Sequence, residues 1–413
     1  MQQLQKRFSE EQVKELIGRY ERGEVKRRVM EEVLGISKTR FFELLEAYRI
    51  GADLWKERRG AKRAIDARAE EFLRCELELD KALIEDGQIP VYHYNYSYVR
   101  GELKRKHGID ISVPTIIKRA KEWGYYKPRR KHTPHTREVI SNYTGELIQH
   151  DSSHHLFAPM GGKKWYLITS IDDYSRYILE ARFMEVETTN EHIKSLERVF
   201  TKHGLPASYY TDSHSIFRYV AGRDNLHYEA HAATDEARTQ WLQVLNDCRV
   251  KALYALSPQA KGKAERPYQW IQDHIVRSCV RDGVIDIKDG QEILNEEIKA
   301  YNFKRVHSTT QEVPYYRYKK AREQNSLWRS FEVPSPFKST KDIFCTRITR
   351  KADGYRTLTL NRTKLRVNGV NPHDKIEIRI YRQNEVMSEL RFWRKEELLD
   401  VQKFRNKDIN LTA

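Results

Sequence analysis

The feature that most constrains this chain is the way its hydrophobic period changes between Gly145 and Gln272. "GELIQHDSS" reads as a short strand ending in a carboxylate, "KKWYLITSIDDYS" as a long apolar strand, and "RYILEARFM" as a third close behind. A helix is expected from Thr188 to about His203, then the strand "ASYYTD" and an irregular stretch from His214 to about Ala237. A helix near Trp241 to Cys248, the strand "VKALYAL" and a last helix close the unit.

Three strands, a helix, a strand, a helix, a strand and a helix is the element order of a ribonuclease-H-like α/β core. Within it Asp151 is expected to end the first strand, Asp212 to end "ASYYTD", and Glu265 to open the last helix in "SPQAKGKAERPYQWIQ". If the first and fourth strands are neighbours, these three acids converge. Carboxylates are the hard oxygen donors that Mg²⁺ or Mn²⁺ prefers, and two such ions about 4 Å apart suit in-line phosphoryl transfer. Each acid also has a plainer reading. Asp151 can cap the following loop, Asp212 can form an Asx turn in "TDSH", and Glu265 is an acidic residue favoured in a first helical turn. Asp172 and Asp173 end the second strand, which should run antiparallel to the first, and are expected to be structural or supporting.

Gln269 and Gln272 follow Glu265 at helical offsets of four and seven and share its face, beside an apolar stripe of Tyr268, Ile271 and Ile275. The glutamines are candidates for DNA contact or an ordinary polar face. Lys261, Lys263 and Arg266 are candidates for phosphate contact or a solvated loop.

From Ser9 to Tyr48 apolar residues recur at helical spacing (Val13, Leu16, Ile17 and Tyr20; Val29, Val33 and Leu34; Phe41, Leu44, Leu45 and Tyr48), and Gly35 precedes "ISKTRFFELL", where Ser37 can cap a helix. Three helices with a tight turn before the last describe a helix-turn-helix, which would aim Lys38, Thr39 and Arg40 at base edges. Any small three-helix domain shows the same period. After "KERRGAKRAIDAR" the arrangement repeats: a helix over 68 to 85, another ending near Gly108, and one after Ser112 with Pro114 in its first turn. Thr115, Lys118 and Arg119 of that helix are its candidate DNA contacts. The stretch "KPRRKHTPHTR" brings Arg129, Arg130 and Lys131 together, either as a solvated linker or as a basic arm along a DNA backbone.

Seventy-five Lys and Arg against 59 Asp and Glu, a formal charge of +16, favour a polyanion as partner. No run of about eighteen apolar residues and no apolar segment in "MQQLQKRFSEEQ" speaks for a membrane or a signal peptide, so a soluble, cytoplasmic protein is expected. Cys75, Cys248, Cys279 and Cys345 are isolated, which argues against disulfides and structural zinc despite "HTPH" and "HDSSHH". "EVPYYRY" and "EVPSPFKST" read as linker. Beyond them "TRITRKADGYRTLTLNRTKLRV" and "DKIEIRIYRQNEVMSELRFW" alternate apolar and basic residues around turns, as a small β-barrel would.

The motifs "IQHDSS", "SIDDYSRYI", "HGLPASYYTDSHSIFR" and "SPQAKGKAERPYQWIQ" resemble the series of the DDE transposases and retroviral integrases, most closely the bacterial insertion-sequence group ISNCY. The resemblance implies a multidomain α+β protein. Residues 1–60 and 61–126 would be tandem helix-turn-helix domains, 127–144 a basic linker, 145–305 the ribonuclease-H-like catalytic core, 306–340 a linker and 341–400 the β-barrel. It also implies that Asp151, Asp212 and Glu265 hold two Mg²⁺ or Mn²⁺ ions, with Asp151 bridging both. Water would cut at the element's terminal repeats and the freed 3′-OH would attack target DNA, with no protein nucleophile, in a homodimer or larger assembly on double-stranded DNA. The insertion "YVAGRDNLHYEAHAATDEARTQ" departs from retroviral integrases, as does the lack of their zinc-binding His and Cys set. The competing readings are a silent DNA-binding regulator descended from such an enzyme and a nuclease of the same fold.

Overall fold

The computed structural model describes residues 4, 7–52, 54, 65–128, 141–212, 216–217, 239–254 and 262–411, without the side chains of 262–269. Two compact units are present, Met1–Phe72 and Leu73–Ala413.

In the first unit α1 (Glu10–Glu21), α2 (Arg27–Leu34) and α3 (Lys38–Arg49) enclose a core of Val13, Ile17, Met30, Leu34, Phe41, Leu44 and Leu45. Ser9 opens α1 with a reciprocal capping box through Gln12, and Ser37 caps α3 by accepting from the Arg40 amide. Gly35 ends α2 in the left-handed region, φ 66°, which suits a residue without a Cβ. The expected stripe is rotated by one position in α2: Met30 and Leu34 are buried, while Val29 and Val33 are exposed.

Helix α4 (Ala67–Glu85) runs into the second unit, where α5 (Tyr96–His107) and α6 (Val113–Glu122) follow. Gly108 closes α5 at φ 68°, and Ser112 caps α6 by accepting from the Thr115 amide, with Pro114 in the first turn.

The central sheet has the order β3-β2-β1-β4-β5, built from β1 (Leu147–His155), β2 (Trp165–Asp172), β3 (Ile178–Met184), β4 (Ser208–Thr211) and β5 (Lys251–Tyr254). The first three strands are antiparallel; β1 with β4 and β4 with β5 are parallel. One face is packed by α7 (Thr189–His203) and α8 (Gln240–Asp247) through Ile193, Leu196, Phe200, Trp241 and Val244. The other is packed by α9 (Gly262–Arg281) and α10 (Ile287–Lys304) through Ile271, Ile275, Leu294 and Tyr301. Helices on both faces are what strands apolar on both sides require.

Two expectations are corrected here. "EVPYYRY" is no linker but the start of α11 (Pro314–Gln324), whose Tyr318 joins the core beside α7. The residues after it also bind the core, with Leu205 and Arg329 forming a reciprocal backbone pair at 2.8 and 2.9 Å. The C-terminal residues form a four-stranded antiparallel sheet, β11-β10-β9-β6, from β6 (Thr346–Lys351), β9 (Lys375–Arg382), β10 (Met387–Arg394) and β11 (Glu397–Arg405). The hairpin β7 (Thr357–Leu360) and β8 (Thr363–Arg366) is separate. No closed barrel forms among the described residues. Asp342 fixes this sheet by accepting from Arg391 and from Trp393 Nε1 at 2.9 Å.

Candidate active site

The site starts from the parallel pairing of β1 and β4. Leu147, Ile148 and Gln149 pair with Ser208, Tyr209 and Tyr210. Continued by two residues, that register would set Asp151 level with Asp212, which directly follows Thr211, the last residue of β4; paired strands stand about 4.8 Å apart. Both are half-buried. The expectation that Asp151 ends β1 is corrected: the strand continues to His155 because β2 supplies backbone partners throughout, Asp151 opposite Thr169 and His155 opposite Trp165.

Alternation along β1 sorts its side chains. Ile148 and His150 face α7 and α8, where His150 packs on Trp241 with ring centroids 6.0 Å apart. Asp151 and Ser153 therefore share the opposite face. Gln272 of α9 reaches that face and donates from Nε2 to Ser153 Oγ at 2.5 Å. Its side chain is thus engaged within the protein, where a DNA contact had been an open alternative. Ile271 and Ile275 are fully buried, as the apolar stripe implied. Glu265 lies in the first turn of α9. Its side chain, those of Lys263, Arg266, Tyr268 and Gln269, and all of Lys261 lie outside the described residues, as do Arg129, Arg130 and Lys131.

The carboxylates Asp172 and Asp173 do other work. Three residues along the register from Asp151, or about 10 Å at strand rise, Asp172 is fully buried. It accepts from the Gly145 amide at 2.8 Å, Thr144 Oγ1 at 3.2 Å and Ser175 through both its amide and its hydroxyl. Burial pushes its pKa up, and these donors oppose the shift. Asp173 binds Arg176 at 2.7 Å, Gln149 Nε2 at 2.5 Å and Ser141 Oγ at 2.7 Å. Both lock the loop after β2 to the base of β1, a structural role.

Helix α9 is anchored at its far end. Arg277, fully buried, contacts Asp80 at 2.6 Å and Asp273 at 3.1 Å, and Arg281 reaches Asp80 and Glu76 on α4. Asn95 Nδ2 donates to Asp273 at 2.5 Å, and Tyr98 and Ser278 share a hydroxyl bond of 3.0 Å. The sequence reading missed this network, because charged residues spaced along α4 and α9 look like any solvated helix face.

The candidate DNA contacts on described helices are open to solvent to different degrees. Lys38, Thr39 and Arg40 are exposed, with Arg40 paired to Glu43 at 2.8 Å. Lys118 is exposed, whereas Thr115 and Arg119 are half-buried; Lys118 and Arg119 both pair with Glu122. Among the described residues no cluster of three His, Cys, Asp or Glu suited to a metal is present, and no helix is long and apolar enough to cross a membrane.

No protein-family model matches the chain. Two curated proteins are similar to it. "Putative transposase y4bF" of Sinorhizobium fredii is 29% identical over 202 residues, 49% of this chain and 42% of that protein. The transposase for insertion sequence IS1202 of Streptococcus pneumoniae is 29% identical over 175 residues, 42% of this chain and 35% of that protein. The match thus spans less than half the length of either relative. Among solved structures, the magnesium-bound HTLV-2 integrase catalytic core aligns over 43% of this chain and 99% of its own at 14% identity, TM-score 0.33. A simian T-cell lymphotropic virus intasome complex aligns over 72% of this chain and 93% of its own at 12% identity, TM-score 0.36. Both curated relatives are transposases by name, one of them for an insertion sequence.

Proposed function

We propose that the protein is a metal-dependent DNA transposase of a bacterial insertion sequence, of the ISNCY type, acting on the ends of its element and on target DNA. The observation that supports this reading is the parallel β1–β4 register, which continued by two residues would bring Asp151 level with Asp212, with Gln272 tying α9 to the Asp151 face of β1. Glu265 stands seven residues before Gln272, a spacing that returns to the same helix face, and completes the set in this reading. Two hard carboxylates on adjacent strands fit a divalent cation. Bound there by Asp151, Asp212 and Glu265, one or two Mg²⁺ or Mn²⁺ ions would neutralise phosphate charge and activate the attacking oxygen.

The chain's own groups do the rest. Asp151 within β1 and Asp212 next to the end of β4 stand on a rigid sheet, which limits the reorganisation needed when a phosphodiester arrives. The helical units 1–60 and 61–126, read as helix-turn-helix domains, present Lys38, Thr39, Arg40, Thr115, Lys118 and Arg119 to the element ends. The basic segment with Arg129, Arg130 and Lys131 and the approach to α9 with Lys261, Lys263, Arg266 and Gln269 track the phosphates. The 145–305 core joins the strands, the 341–400 module assists, and pairing two element ends calls for at least two copies of the chain.

The test is Asp212→Asn. Cleavage of end-bearing DNA should fall by more than the about hundredfold typical of losing an outer-shell partner, with DNA binding retained. Cleavage at the normal rate would refute the assignment.

A further inference from the structure

The strand that carries Asp151 is held from behind by a circuit of hydrogen bonds that the chemistry above does not use. On the sheet face opposite Asp151, Ser170 Oγ lies 2.8 Å from His150 Nδ1, and His150 Nε2 lies 2.9 Å from His192 Nδ1. His192 Nε2 lies 3.0 Å from Glu187 Oε1, and that oxygen also accepts from Ser152 Oγ. The circuit leaves β1 one residue before Asp151, crosses to α7 at His192 and to Glu187 just before it, and returns to β1 one residue after. His150, His192 and Ser170 are fully buried, walled by Phe217 and Trp241. The Glu187 side chain is 14% exposed.

A neutral pair of imidazoles satisfies these bonds. With the Glu187 carboxylate accepting from His192 Nε2, one tautomer set has His192 Nδ1 accepting from His150 Nε2. His150 then carries its hydrogen on Nε2 and accepts the Ser170 hydroxyl at Nδ1. A buried, hydrogen-bonded polar chain rigidifies what it joins, and a broken one leaves an imidazole N–H without its acceptor. We infer that His192 and Glu187 are positioning residues that fix the backbone of β1 at residues 150 to 152 and so aim the Asp151 carboxylate at the divalent ion. The inference rests on the transposase reading above.

The test uses the full chain and two readouts: Mn²⁺ binding, followed by the electron-spin resonance of free Mn²⁺, and strand joining across a Mg²⁺ titration. In His192→Phe and Glu187→Ala, half-saturating Mn²⁺ should rise about tenfold or more, the scale of a lost outer-shell partner. Joining should recover at high Mg²⁺, and metal-free DNA binding should stay as in the unaltered chain. Glu187→Gln, whose amide oxygen still accepts from His192 and Ser152, should rescue metal affinity. If His192→Phe fails to fold, the Glu187 pair decides alone. Unchanged Mn²⁺ binding in Glu187→Ala, or a loss of joining equal at all metal concentrations, overturns the inference and leaves the transposase reading standing. An unaltered chain that binds Mn²⁺ no better than Asp151→Asn overturns both.

Discussion

At the scale of single residues, local chemistry decides most of what can be tested. His203 shows this for pH. It sits between Tyr318 and Trp328, with Nδ1 3.2 Å from the Tyr318 hydroxyl, and burial holds its pKa down at about 4. In the unfolded chain a histidine titrates near 6.5. Between those values the unfolded state carries a proton that the folded state lacks, so stability falls as pH drops through that window. His203→Gln should flatten the loss of melting temperature between about pH 7 and about pH 5. An equally steep loss in the variant would show that other groups govern acid sensitivity. The caps at Ser9, Ser37, Ser112 and Thr188 are all formed. Ser37 and Ser112 could be read from sequence because a hydroxyl before a helical run acts only on nearby amides. The bonds of His150 could not, since Ser170 and His192 reach it only after the sheet has formed and α7 has packed on it.

At the scale of elements, the strands and helices of the core were legible and several of their limits were not. Strand β1 runs past Asp151 through "SSHH", polar residues that carry no β signal of their own, because β2 offers a full ladder. Helix α11 was hidden by a proline and by tyrosines that favour strands, although Pro314 at its first turn is well placed to start a helix. The α4–α9 contact is the clearest case of an element fixed by tertiary charge. Asp80 and Arg277 are both fully buried. Asp80→Ala takes one partner from each of two buried guanidiniums, Arg277 and Arg281, which keep Asp273 and Glu76, so it should cost about 1–3 kcal/mol in denaturant unfolding. A cost under about 1 kcal/mol, typical of an exposed pair, would contradict that burial. Close packing gives a second case: a Cβ on Gly290 would come within 2.4 Å of the Trp165 ring. Gly290→Ala should therefore destabilise by about 1–3 kcal/mol as α10 shifts off β2, and an unchanged melting temperature would show that the ring yields freely.

At the scale of the whole molecule, the charge of +16 suits the polyanionic partner that the proposed function requires. Every phosphate neutralised adds close to one unit to the slope of log affinity against log salt. Replacing Arg129 and Arg130 with Gln should weaken DNA binding and lower that slope by about two, measured by fluorescence anisotropy across a salt series. An unchanged slope would make that segment a spacer. The sequence could announce the Asp151 and Asp212 pairing only as a condition, that the first and fourth strands be neighbours, because strand order is a property of the assembled sheet. The structure meets that condition. The most direct test is a strand-transfer assay with labelled DNA carrying the sequences that flank the gene, in Mg²⁺ or Mn²⁺, comparing the natural chain with Asp151→Ala. Joined products from the natural chain and none from the variant are the expected result; specific binding without joining in either metal, or joining that survives Asp151→Ala, would contradict the account.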